Sequence, residues 1–278
     1  MRLVQPLDHF VVPVNDIVAA EDFYEEVFGG TVAKRNGLNL RQRIHGSVPH
    51  TFITIAGKRI GVYLQDDERV MPTSARGTPT YSFTTSREGL EEVAAELERW
   101  KMPFEGPVKN VYAFAAETLF FCDPAGNHYA VYLPQATGSG DGATKGRMTG
   151  VGYLELEAPD LAASIKFYQQ VLGFELVDGD ASGSRATMQM ASGQCLMLTK
   201  TPFSPKGLPM SRTIPGPHLG FYVPHGQWSE ALALLDRLGI ANGDRGVEAK
   251  DRHTDGTAGT YMDDPAGYVI QYITDGMQ

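Results

Sequence analysis

The chain has 278 residues, of which 42% are apolar and 21% charged, and its formal net charge is −9. That length can bury two cores of ordinary domain size, while the acidic balance, without a basic stripe, argues against a nucleic-acid partner. No apolar run approaches the ~18–20 residues that span a bilayer, and the N-terminus shows neither the basic nor the apolar region of a signal peptide.

In chain order, a strand is predicted over 9–14, followed by a helix over Asn15–Val27 that opens on an Asn/Asp cap and closes at Gly29. Alternating runs at Thr51–Ile55 and Ile60–Leu64 read as further strands. The same order then recurs: a strand over 80–84, a helix over Arg87–Trp100, and a closing turn at Asp123-Pro-Ala-Gly126. Gln135–Thr149 is rich in Gly, Ser and Thr without apolar periodicity, which marks a linker. Beyond it come a strand over 153–158, a helix over Asp160–Val171 ending at Gly173, and strands at Thr187–Met190 and Leu196–Leu198. The last repeat has a strand over 218–223, a helix over Gln227–Leu238 with Gly239 behind it, and a closing turn at Asp264-Pro-Ala-Gly267.

The two halves say nearly the same thing. Leu7-Asp-His-Phe-Val-Val-Pro-Val-Asn-Asp16 with Asp22-Phe-Tyr-Glu-Glu-Val-Phe-Gly29 matches Val151-Gly-Tyr-Leu-Glu-Leu-Glu-Ala-Pro-Asp160 with Lys166-Phe-Tyr-Gln-Gln-Val-Leu-Gly173. The order is therefore β-α-β-β-β, four times, with expected domains at 1–134 and 150–278 joined by the linker 135–149. In the opening strands, Phe10, Val12, Val14, Leu154, Leu156, Leu219 and Phe221 should pack on helices. His9, Thr80, Tyr153, Glu155, His218 and Tyr222 fall on the opposite face, which lines a cavity if the sheets curl around a cleft. Cys122 and Cys195 sit in apolar runs and read as buried thiols, which suits a reducing cytoplasm and a cytoplasmic location.

Four β-α-β-β-β units, a Phe-Tyr in the helix and a closing Asp-Pro-x-Gly hairpin resemble the vicinal oxygen chelate superfamily, which includes glyoxalases, bleomycin and fosfomycin resistance proteins and extradiol dioxygenases. The resemblance covers the chain apart from the linker. It implies an α+β fold of two tandem glyoxalase-like domains, each with a U-shaped mixed sheet around a cleft. It also implies divalent-metal ligands at the first residue of each opening strand and four residues past the Gly of each closing hairpin. Those positions are His9, Gly61, Thr80 and Ala130 in the N-terminal half, and Tyr153, Met197, His218 and Gln271 in the C-terminal half.

The segment Arg252-His253-Thr-Asp…Tyr261-Met-Asp-Asp-Pro265-Ala-Gly267 further resembles type I extradiol dioxygenases. On that resemblance His253 is the acid/base, Tyr261 the substrate-side tyrosine and His218 a metal ligand; read from its strand position, His218 serves as ligand or as acid/base. Tyr153 stands where a second histidine is expected and Gln271 where a carboxylate is. The expected working cleft therefore lies in the C-terminal domain, with His218, Gln271 and Tyr153 around Fe(II) or Mn(II). Glu155 could supply a displaced carboxylate; its bland reading is an ordinary strand residue at a sheet edge. Metal-free, it would suit a general base. Tyr153, Tyr222 and Tyr261 would suit a flat, aromatic ligand. The N-terminal half, with His9, His128 and Arg59 on its cavity face but no carboxylate, reads as structural, with a vestigial pocket. His45, His50 and His225 take no role.

The function expected is an extradiol-dioxygenase-like enzyme acting on an aromatic or enolisable vicinal-dioxygen substrate. A metal-free acid/base lyase or isomerase and a small-molecule binding or resistance protein are the alternatives. Whether the chain forms a homo-oligomer stays open.

Overall fold

A computed structural model describes residues 7–40, 44, 48–65, 71–135, 146–190, 192–202, 217–243 and 258–275. The four modules are present. The first holds β1 (Leu7–Val14), α1 (Ile17–Phe28), β2 (Thr31–Asn36), β3 (His50–Ile55) and β4 (Lys58–Leu64). The second holds β5 (Thr80–Thr85), α2 (Arg87–Arg99), β6 (Phe104–Tyr112), β7 (Ala115–Cys122) and β8 (His128–Pro134). The third holds β9 (Met148–Ala158), α3 (Leu161–Leu172), β10 (Glu175–Gly179), β11 (Arg185–Gln189) and β12 (Cys195–Lys200). The fourth holds β13 (His218–Tyr222), α4 (Trp228–Leu238), β14 (Asn242–Gly243), β15 (Ala258–Asp263) and β16 (Val269–Thr274). Most of the expected linker lies outside the described residues, and its last two residues, Met148 and Thr149, already belong to β9.

Local chemistry explains the repeated helices. Asp16 and Asp160 each accept a hydrogen bond from a backbone N–H of the first turn, Ala19 at 3.0 Å and Ala163 at 2.9 Å. Gly29 and Gly173 end the helices at φ of 66° and 70°, a left-handed conformation costly for any residue with a Cβ. Phe23, Tyr24, Val27 and Phe28 form the buried stripe of α1, and Phe167, Tyr168, Val171 and Leu172 that of α3.

The strands form two eight-stranded mixed sheets, ordered β14-β15-β16-β13-β1-β4-β3-β2 and β10-β11-β12-β9-β5-β8-β7-β6. The sheets do not follow the halves of the sequence: one joins the first and fourth modules, the other the second and third. Nor do the compact units, which are Met1–Val11 with Glu155–Gln278, and Val12–Leu154. The division passes within β1 and within β9. Inside the first unit β1 pairs antiparallel with β13, setting His9 opposite Gly220 and Val11 opposite His218, and β13 runs parallel to β16 with Gly220 beside Gln271.

Each unit carries one copy of the same buried bond. In one, Tyr168 Oη of α3 donates to Asp264 Oδ2 at 2.9 Å, while Asp264 Oδ1 accepts from the backbone N–H of Ala266 and Tyr268. In the other, Tyr24 Oη donates to Asp123 Oδ2 at 3.0 Å, with Ala125 and Asn127 as the backbone donors. The helix Phe-Tyr and the Asp-Pro-Ala-Gly turn, read separately in the sequence, are two ends of one interaction.

Burial pushes the Asp264 carboxyl up to about 6, although Tyr168 and the backbone N–H groups pull the other way. Its folded pKa thus exceeds the unfolded value near 4, so the folded state holds the proton more tightly. The contribution to stability is greatest below about pH 4, falls as pH rises to about 6, and is level above that, a change of roughly 2–3 kcal/mol. In Asp264→Asn the titration disappears but an oxygen acceptor for the turn remains. Urea unfolding from pH 4 to 7 should show the stability gap between variant and wild type shifting in favour of the variant through this window. A gap independent of pH would refute the assignment.

Candidate functional site

The polar face of β13, β16 and β1 gathers one cluster within a single compact unit. His9 on β1 and His218 on β13 point their rings at each other, Nε2 to Nε2 at 3.0 Å, with planes at 89°. The His9 Nδ1 lies 2.7 Å from Asp8 Oδ2. The His218 ring meets that of Tyr261 edge-on at 5.4 Å between centroids, and Tyr261 Oη accepts from Gln271 Nε2 at 2.8 Å. All four site side chains are buried, and Gln271 Oε1 is buried without a hydrogen-bond partner.

Two glycines make the room. A Cβ on Gly220 would stand 2.3 Å from His9 Cε1, and one on Gly259 would stand 2.6 Å from Gln271 Nε2. Backbone, not side chain, therefore backs both residues.

Three of the expected site residues are thus brought together: His218, Gln271 and Tyr261. Tyr222 lies four residues from His218, on the same strand face, and its hydroxyl donates to Asp275 Oδ1 at 2.6 Å. That bond and the negative charge of Asp275 raise the Tyr222 pKa. His253 lies outside the described residues.

Two expectations are corrected. Tyr153 does not join His218. It lies on β9 in the other sheet, where its ring packs against Tyr112, Phe114 and Tyr132 at 4.9, 5.5 and 5.8 Å between centroids. Nor is Glu155 a displaced ligand beside His218. It accepts from Arg185 Nη2 at 2.9 Å and Thr199 Oγ1 at 2.7 Å, all on strands of that other sheet. The reason for both is the sheet order: the opening strand that lies beside β13 is β1, so His9 occupies the place expected for Tyr153.

The grouping of His9 with His128 dissolves for the same reason, whereas Arg59 is on β4, in the same sheet as His9. His128 is on β8 in the second sheet, its buried Nε2 unbonded and its ring against Gly77, and burial lowers its pKa. Sequence reasoning missed His9 as the partner of His218, although a signal was there. Across the four opening strands the equivalent residues are His9, Thr80, Tyr153 and His218; pairing them by chemistry rather than by sequence half joins the two histidines.

The donor set can be tested against a divalent ion. Among the described residues no three His, Cys, Asp or Glu side chains form a metal-binding group, so a third donor must be the amide of Gln271. Two metal–nitrogen bonds of about 2.1 Å at a right angle put their nitrogens about 3 Å apart, which matches His9 and His218. The unbonded Gln271 Oε1 is the atom an ion would use. Two imidazoles and an amide oxygen are donors such an ion accepts, with a neutral amide in the place of a carboxylate.

No curated protein sequence matches the chain. Among solved structures, a protein from Bacillus subtilis named a putative dioxygenase superposes with a TM-score of 0.73 at 15% identity, over 99% of this chain and 86% of that one. Glyoxalase I from Zea mays superposes with a TM-score of 0.63 at 16% identity, over 96% of this chain and 92% of that one. These likenesses speak to the fold. The model of the Glyoxalase/Bleomycin resistance protein/Dioxygenase superfamily matches residues 6–131 and again 150–272, so the chain belongs to that superfamily, with two copies of its module pair.

Proposed function

We propose that the chain is a metal-dependent enzyme acting on a small molecule with two adjacent oxygens on an aromatic or enolisable framework, in the manner of extradiol ring-cleaving dioxygenases. The observation that supports this is the His9–His218 pair, Nε2 to Nε2 at 3.0 Å, beside the unbonded Oε1 of Gln271. His9, His218 and Gln271 would hold Fe(II) or Mn(II). When bound, such an ion supplies Lewis acidity toward two substrate oxygens.

The protein's own groups have definite tasks on this reading. The two imidazoles present lone pairs from a face closed to water, where electrostatic interactions are stronger than in solution. Tyr261, whose oxygen accepts from Gln271, is proposed as the side chain that meets the substrate. His253 is proposed as the group that moves protons.

A metal-free acid/base enzyme is the second reading, and one observation favours it. At 3.0 Å, one of the facing rings donates N–H to the other, so the pair holds a proton that could be passed to a substrate.

Elemental analysis of anaerobically purified protein, followed by Mn(II) titration, separates the readings. One equivalent is expected to bind, with His9→Ala and His218→Ala each losing more than tenfold in affinity. Gln271→Glu restores the anionic donor and should gain over tenfold, more than ~1.4 kcal/mol, whereas Tyr153→His should gain nothing. A wild type without metal affinity would leave the acid/base or binding readings standing.

Gly220→Ala gives an independent check. Its new Cβ must displace the His9 ring, so Mn(II) affinity should fall along with a stability loss of about 1–3 kcal/mol. Gly226→Ala, with nothing within 4 Å of the added atom, should leave both unchanged. Equal behaviour of the two variants would remove His9 from the site.

A further inference from the structure

Neighbouring residues of a regular strand point to opposite faces, so Asp8 should be out of reach of the His9 ring. It is bonded to it, Oδ2 to Nδ1 at 2.7 Å. The register explains how. Leu7 pairs with Phe221 and His9 with Gly220, so two steps along β1 match one along β13 and Asp8 is the extra residue of an irregular, bulged pair. A bulge of this kind re-aims a side chain.

The other sheet shows what the device is worth. The residues equivalent to Asp8-His9 are Gly152-Tyr153. A Cβ on Gly152 would lie 2.4 Å from the Tyr132 ring and 2.5 Å from Ser82 Oγ, so no carboxylate fits there. A carboxylate against the ring accompanies the histidine and is sterically barred from the tyrosine.

We propose that Asp8 is a positioning residue. It fixes His9 as the Nδ1–H tautomer and leaves the Nε2 lone pair facing His218. Through the ring it also supplies the negative charge that Gln271 does not. The bond direction follows from chemistry: a carboxylate only accepts, so the proton sits on Nδ1. The charge argument rests on the reading that His9 and His218 hold a divalent ion. Two imidazoles and an amide are neutral, and a carboxylate one ring away makes the ligating nitrogen more basic and orients it.

The test uses the full chain with Asp8→Asn, Asp8→Ala and Asp8→Asn combined with Gln271→Glu. The Asp8 side chain is 25% exposed, so these changes leave the core in place. Imidazole ¹⁵N NMR at one fixed pH should show His9 as Nδ1–H in wild type, retained in Asp8→Asn, whose amide oxygen still accepts, and lost in Asp8→Ala. Titration with Co(II), followed by its visible absorption, should show both single variants weakened by about 10–100-fold. Gln271→Glu should restore Asp8→Asn to at least wild-type affinity, because the anion is returned at a second position.

A wild-type His9 protonated on Nε2 would overturn the proposal, whatever the metal does. So would Asp8→Asn binding Co(II) as tightly as wild type, or the double variant binding as weakly as Asp8→Asn. If the tautomer behaves as expected but wild type takes up no Co(II), the positioning role stands and the metal reading falls.

Discussion

The bond between a helix tyrosine and a turn aspartate is the constraint on which the site depends. Tyr168 Oη holds Asp264 from α3, and Asp264 in turn gathers the backbone N–H groups of Ala266 and Tyr268. That fixes the turn joining β15 to β16, and with it the register that sets Tyr261 opposite Gln271. The aspartate is almost wholly buried, where an unpartnered carboxylate would be costly; here three donors meet it. The sequence of the turn follows: Asp to accept, Pro and Ala to shape it, Gly267 at φ 96° to close it. Tyr24 and Asp123 repeat the arrangement in the other unit.

On that common scaffold the chemistry is distributed unevenly. The opening-strand and post-hairpin positions of the first sheet are His9, Gly61, His218 and Gln271; those of the second are Thr80, Ala130, Tyr153 and Met197. Nitrogen donors at these positions are confined to one sheet. In the other, Tyr153 packs into a group of aromatic rings, and Ser82 donates to its carbonyl at 2.7 Å. Large rings in mutual contact contribute packing energy. The same division appears in the glycines: Gly220 and Gly259 clear space for donors, whereas Gly152 clears it for Tyr132.

Local structure was legible in the sequence because local physics decides it. The capping aspartates, the left-handed glycines and the apolar stripes placed the four expected helices within two residues of their observed bounds. That His218, Gln271 and Tyr261 come together was also legible, because strand alternation and the closing turn fix which face they share. What the sequence did not carry was which opening strands lie side by side. Strand pairing is non-local, and two tandem repeats can pair within a half or across halves with the same hydrophobic pattern, so nothing in the alternation of β9 or β1 distinguishes them. Tyr153 and His9 were exchanged by that ambiguity alone. The contact of Asp8 with His9 was hidden for a second reason: a bulge breaks the alternation on which face assignment rests.

The amide of Gln271 gives the site its particular character on the proposed reading. A carboxylate there would neutralise part of an ion's charge directly, and the ion would bind firmly without substrate. A neutral amide leaves that charge to be met from elsewhere, partly by Asp8 through the His9 ring and partly by the substrate's own oxygens. Affinity for the ion and affinity for an anionic chelating ligand then reinforce each other, since each supplies what the other lacks, and by linkage the coupling is reciprocal. A neutral donor set in a buried face thus favours ligands that arrive with negative charge on adjacent oxygens, such as catecholates and enediolates. On that reading, the amide that lowers affinity for a free ion is also what would raise selectivity for such ligands.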